Sequence, residues 1–250
     1  MCGKAAVSHL AWKDVYAWAT SLAPPVTLPV NPTDRINISP SRLRRKSEPD
    51  SMVWETLPAI YANGDVDQPT EAIWPFLPPW ADGQLPRIKG GKLLSTANAR
   101  LRHGDKPFAP SYMGAWSKDF RVLVPVSWFY EFDSRVRPQV PYAVFPLHAP
   151  FWLLCGLASK FTTADGSQKL SISIITVAPN EVLKSVGHHR SPAIIRSADE
   201  TAQWLRAPKA EALDLLRPFP NQSMGVEVVP MGIKIPGNEK ILMPECLSNL

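Results

Sequence analysis

Leu10, Val15, Trp18 and Leu22 recur at helical spacing and predict an amphipathic helix over residues 8–22, ended by Pro24-Pro25. Beyond it the apolar positions alternate or cluster in short runs, the pattern of strands. Ile36-Asn37-Ile38-Ser39-Pro40 reads as a short strand running into a turn, and residues 52–60 as a more loosely alternating one. The clearest strand signal spans residues 121–132, where Pro125 marks an edge or a bulge because proline cannot donate to the ladder. Residues 142–146, 151–160 and 170–177 predict three more strands. Asn180 opens a short helix through Val186 that stops at Gly187, and Ser197-Ala198-Asp199-Glu200 has the form of a capping box for a helix through Leu205. A further helix over 210–216 and a strand over 226–229 precede an irregular tail from Gly237.

Composition agrees with this pattern. The 27 prolines in 250 residues, about twice the usual share, favour turns and short strands over long helices. With 45% hydrophobic residues the chain can bury a sizeable core, in one domain or two. No segment approaches the ~20 apolar residues of a membrane span. No basic region followed by an apolar run opens the chain either, so neither a membrane anchor nor a secretory leader is expected. Cys2, Cys155 and Cys246 are too few and too widely spaced for a disulfide framework or a zinc site, and a reducing cytoplasm suits a free Cys2. The net charge of +5 favours a polyanionic partner, and basic residues gather at 42–46, 87–92 and 100–103, each of which is also compatible with a solvated loop.

The candidate chemistry begins at Met1-Cys2-Gly3-Lys4. Removal of Met1 would leave an α-amine and a thiol on neighbouring carbons. The amine titrates near pH ~8 and the thiol near ~8.5, so both are poised as nucleophiles at neutral pH. Such an aminothiol condenses with an aldehyde to a Schiff base, and the sulfur then closes a five-membered ring without a cofactor. Glu131 closes an apolar aromatic run, where a carboxylate is costly to bury unless paired or useful; the other reading places it just beyond the strand, in water. His188-His189-Arg190 sets two imidazoles and a guanidinium on a turn, with no third ligand to make a metal site. The proline-rich segment from Trp74 to Trp80 reads as a surface loop whose tryptophans either stack on bases or pack over a core edge.

Taken in order, these segments resemble the SRAP family, the SOS response-associated peptidase domain of abasic-site DNA-protein crosslinking proteins. Met1 to Lys4 is similar to its MCGR start, Arg35 to Pro40 to R-[FY]-N-x-[AS]-P, and Trp74 to Trp80 to W-G-L-x-P-x-W. Asn98-Ala99-Arg100 is similar to NARxE, Val124-Pro125 with Phe129 to Phe132 to L-[VI]-P…[FY]-Y-E-W, and His188 to Pro192 to H-x-R-M-P. These matches span about residues 1 to 192, and residues 197–250 are read as the remainder of a single domain. Several supporting positions diverge: Lys4 replaces an arginine, Leu101 follows Arg100, and Phe132, Val177 and Ser191 stand where tryptophan, threonine and methionine are usual.

The resemblance implies an α+β fold with a β-rich, barrel-like core and peripheral short helices, and a positively charged groove for single-stranded DNA carrying an abasic site. It implies crosslinking through a Cys2 thiazolidine, with Glu131 as the acid/base, His188 assisting proton transfer and Asn98 positioning sugar and amine. It further implies DNA contacts from Lys4, Trp74, Trp80, Arg100 and Arg190, no cofactor and no metal, with strand incision by lyase chemistry and autoproteolysis as side activities. Two other readings stand beside it. A cysteine hydrolase would use Cys2, His188 and Glu131, and a non-covalent binding module would show salt-sensitive affinity without preference for abasic sites.

Overall fold

In the computed structural model, which describes residues 3–40, 42–44, 52–81, 83–163 and 166–229, the alternating segments become strands. In chain order these are β1 (Lys4–Val7), β2 (Arg35–Ile38), β3 (Arg42–Arg44), β4 (Met52–Asn63), β5 (Val66–Trp74), β6 (Asn98–Arg100), β7 (Arg121–Val126), β8 (Trp128–Asp133), β9 (Val140–Pro146), β10 (Trp152–Thr162), β11 (Gln168–Val177), β12 (Ser191–Pro192) and β13 (Met224–Val228). The helices are short: α1 (Trp12–Trp18), α2 (Pro110–Ser117), α3 (Glu181–Ser185), α4 (Asp199–Arg206) and α5 (Lys209–Asp214). None among the described residues is long and apolar enough to cross a membrane.

Five strands close on themselves in the order β10–β7–β4–β5–β11, with β11 pairing back onto β10. Closure removes the exposed edges that an open sheet would present. Aliphatic side chains such as Val122, Val124, Leu157 and Ile174 fill the core. Gly156 is needed in the wall, since a Cβ there would lie 2.9 Å from a methyl of Val122 and 3.0 Å from the carbonyl of Ser173. A second sheet, β13–β9–β8–β1–β2, lies beside the barrel, and Trp128, Tyr130, Ala6, Ala143, Phe145 and Val229 form its own apolar cluster.

The single strand expected over 121–132 is two strands in two different sheets. The break falls at Ser127, which is clipped to the end of β1: its N–H donates to Ala6 (2.9 Å), its hydroxyl donates to the Ser8 carbonyl (2.8 Å), and Ser8 N–H donates to that hydroxyl (2.9 Å). Pro125 lies past the last β4 partner of β7, the edge position its missing N–H requires. The first helix is shorter than its periodicity suggests, because residues 8–11 carry the chain out of β1 and the Trp12 N–H is taken by Asn31 (3.0 Å). The capping box at Ser197 does not form; α4 starts at Asp199, and Glu200 instead accepts from the Arg196 N–H at 2.8 Å. The tail from Gly237 lies outside the described residues, as do Arg45, Lys46 and Cys246.

Asp67 on β5 ties α1, the chain following it, and α4 to the barrel. Its fully buried carboxylate accepts from the Ala23 N–H (2.7 Å) and pairs with Arg206, while its carbonyl accepts from the Tyr16 hydroxyl. Removing one partner of such a pair strands the other groups, so Asp67→Ala is expected to cost about 3 kcal/mol, read as a lowered urea midpoint with unchanged slope.

Candidate active site

Along β8 the side chains alternate. Trp128, Tyr130 and Phe132 face one way, and Phe129, Glu131 and Asp133 the other. Phe129 packs on Trp152 at 5.2 Å between centroids, and the next residue on that face is Glu131, only 2% exposed. The sequence had left Glu131 either buried or in water, and the structure buries it. A carboxylate removed from water needs a partner, and its Oε2 lies 2.7 Å from Nε2 of His188.

His188 is held by its backbone. Asn180 caps α3, its side chain accepting from the Leu183 N–H at 3.0 Å. The helix ends in a Schellman motif, with Gly187 N–H donating to Lys184 (3.0 Å) and His188 N–H to Leu183 (2.9 Å). Gly187 has φ +76°. A Cβ there would fall 2.4 Å from Asp133 Oδ1 and 2.5 Å from Arg135 Nε. Arg135 in turn pairs with Asp133 (2.7 Å) and donates to the Ser185 carbonyl (2.9 Å), fastening the end of α3 to the end of β8. Gly187→Ala is therefore expected to lower stability by about 1–3 kcal/mol, measured as a drop in melting temperature.

The proton inventory of the pair follows from its hydrogen bonds. His188 Nδ1 lies 2.9 Å from the Arg190 carbonyl, which can only accept, so Nδ1 carries a hydrogen. The contact between Nε2 and Oε2 then holds one further proton, on nitrogen or on oxygen.

Cationic residues collect around it. The ring of exposed His189 stacks on His188 at 5.4 Å. Its pKa is lowered, chiefly by desolvation, with nearby positive charge that includes Arg100 and Arg190 adding to it. Arg190 is likewise lowered by burial and by Arg100. These residues converge because β6 and β12 flank the end of β11, where Thr176 is in register with both Arg100 and Pro192. Lys4 stands opposite Tyr130 in the antiparallel β1–β8 pair, so the N-terminal end of β1 and the Glu131 end of β8 coincide. Its ammonium bonds the side chain of Asn37, a residue with φ +65°.

The other residues singled out in the sequence are placed unequally. Cys2 lies outside the described residues. Asn98 is partly buried on β6, where the Tyr112 hydroxyl donates to its carbonyl at 3.2 Å and burial pushes that phenol up to about 12. Arg100 is exposed. Arg190 is buried, its guanidinium donating to the Thr176 carbonyl at the β11–β12 corner. Trp74 corrects the reading of a loop that presents both tryptophans. It is the last residue of β5, fully buried, and its indole donates to the Ala97 carbonyl at 2.9 Å, so it offers no face to DNA. Trp80 is 64% exposed and lines a separate cleft. Sequence reasoning passed over Tyr112 and the Asp133–Arg135 pair; only the glycine before His188 hinted at the latter.

A family model described as SOS response associated peptidase (SRAP) matches residues 1–234. The abasic site processing protein YoqW of Bacillus subtilis is 27% identical over 171 residues, covering 66% of this chain and 70% of that protein. The abasic site processing protein HMCES of Gallus gallus is 29% identical over 133 residues, covering 44% of this chain and 39% of that one. A crystal structure of a protein from Bordetella bronchiseptica has the same fold, with a TM-score of 0.64 at 19% identity over 92% of this chain and 100% of that one.

Proposed function

The chain belongs to the SOS response associated peptidase (SRAP) family, and on that premise we propose that it acts on abasic sites in single-stranded DNA and captures them covalently through Cys2. After loss of Met1, the Cys2 amine adds to the aldehyde of the ring-opened deoxyribose and water leaves, giving a Schiff base. The thiolate then adds to the same carbon while the imine nitrogen takes a proton, and the product is a thiazolidine. Both steps move protons at one carbon. The buried Glu131–His188 pair is the observation that carries this reading, because it sets a carboxyl and an imidazole in hydrogen-bond contact at the end of β8 that pairs with Lys4 of β1. Asn98 orients the sugar, and Lys4 and Arg100 hold phosphates. Proton loss beside a persistent Schiff base would give β-elimination, so strand incision is a side route.

A cysteine hydrolase is less favoured by the same geometry. It would need His188 to take the proton of the thiol, whereas Nε2 faces Glu131 and Nδ1 faces the Arg190 carbonyl. Acetylation of the Cys2 amine separates the two, since hydrolysis by the thiol would survive it and ring formation would not.

The direct test is a single-stranded oligonucleotide carrying one abasic site, incubated with the protein and run on a denaturing gel. A heat-resistant shifted band absent with the intact oligonucleotide is expected. Protein that mass spectrometry shows to lack Met1, yet which gives no band, would overturn the proposal.

A further inference from the structure

Of the two imidazoles on the turn after α3, His188 has no nitrogen to spare. It turns Nε2 to Glu131 and Nδ1 to the Arg190 carbonyl. His189 is its opposite. Its ring lies on that of His188, 5.4 Å between centroids and 26° between planes, yet it is exposed, and neither of its nitrogens has a hydrogen-bond partner among the described residues. A ring held by its face keeps both nitrogens open at its edge, where one of them accepts a proton when the imidazole is neutral.

The surroundings of His189 favour that neutral form. Desolvation first, and then positive charge that includes Arg100 of β6 and Arg190 of the same turn, lower its pKa from the ordinary 6.5. At pH 7 it is a free base beside the Glu131–His188 pair, at the end of β8 that pairs with Lys4 of β1. No carboxylate among the described residues bonds it, so it is not the oriented base of a hydrolase triad.

We propose that His189 is the general base of ring closure, the group that takes the proton of the Cys2 thiol. The inference rests on the reading that Cys2 captures the abasic aldehyde, and it divides the two steps: the Glu131–His188 pair serves the imine, and His189 serves the sulfur. The S–H bond breaks and its proton passes to a ring nitrogen of His189. The thiolate forms the C–S bond, the C=N electron pair moves to nitrogen, and that nitrogen takes the proton back from the imidazolium. His189 ends neutral, as it began. A thiol of pKa ~8.5 is only about 3% thiolate at pH 7, so a base at hand gains up to about thirtyfold there. It gains nothing once the thiol ionises by itself.

The test follows a single turnover on an abasic single strand with protein shown by mass spectrometry to lack Met1, comparing wild type with His189→Asn and His189→Gln. Aliquots quenched with sodium borohydride score imine and ring together, and aliquots denatured without it score the ring alone. The difference is imine. At pH 7 the ratio of imine to ring early in the reaction should be about tenfold that of wild type in both variants. The excess should vanish at pH 9 and shrink when free imidazole is added at pH 7, which a merely structural loss would not do. Melting temperatures show that the exposed substitutions leave the fold intact. A ratio within twofold of wild type, or an excess that persists at pH 9 and ignores imidazole, would overturn the role of His189 and leave capture by Cys2 standing. Wild-type protein that gives neither band overturns capture and base together.

Discussion

Cys2→Ala protein is expected to form no heat-stable adduct with an abasic strand. The substitution keeps a small second residue, so Met1 should still be removed, and it keeps the amine, so a Schiff base still forms. What it removes is the sulfur that closes the ring. The imine left behind hydrolyses when the protein is denatured, and the band disappears. Sodium borohydride during the incubation reduces the imine to a secondary amine, so a band should return only in its presence. A stable band from the variant without reductant would show that another nucleophile makes the crosslink.

Glu131→Gln should slow adduct formation on the order of 100-fold, the usual scale for losing a positioned general acid or base. The amide has the shape of the carboxylate and can donate to Nε2 of His188, whose Nδ1 hydrogen stays on the Arg190 carbonyl. The cavity therefore stays filled and the ring stays oriented. The amide cannot release a proton and take it back, however, so the step that assembles the imine loses its carrier. Single-turnover time courses read this directly. Affinity for an intact single strand should be unchanged, because the buried side chain faces His188 and not the backbone of the strand. A rate within threefold of wild type would remove Glu131 from the mechanism.

Much of this protein could be read from residue order alone. Apolar alternation and short apolar runs located most of the strands: alternation marks a strand buried on one face, whereas β7 and β10 read as continuous runs because both of their faces are buried. Asn180 and Gly187 bounded α3, because capping and left-handed termination are local needs that few residue types meet. The reactive character of a Cys2 amine and thiol is likewise local, since it depends on two groups on neighbouring carbons.

Three things were decided only by the tertiary structure, each because the deciding partner is remote in sequence. The strand over 121–132 breaks at Ser127 because Ala6 and Ser8 hold that corner, and nothing in the local pattern announces them. Trp74 and Trp80 share one proline-rich segment, yet Trp74 is buried against Ala97 and Trp80 faces solvent, since burial depends on what the rest of the barrel places above each ring. Glu131 was conspicuous as a carboxylate in an apolar run, but its partner was not. A buried charge is tolerated only where a counter-group arrives with matching geometry, and here it arrives on the turn that the Asp133–Arg135 pair and Gly187 fasten to the end of β8. Sequence identified the groups able to react, and the closing of the chain onto β8 determined which of them share a proton.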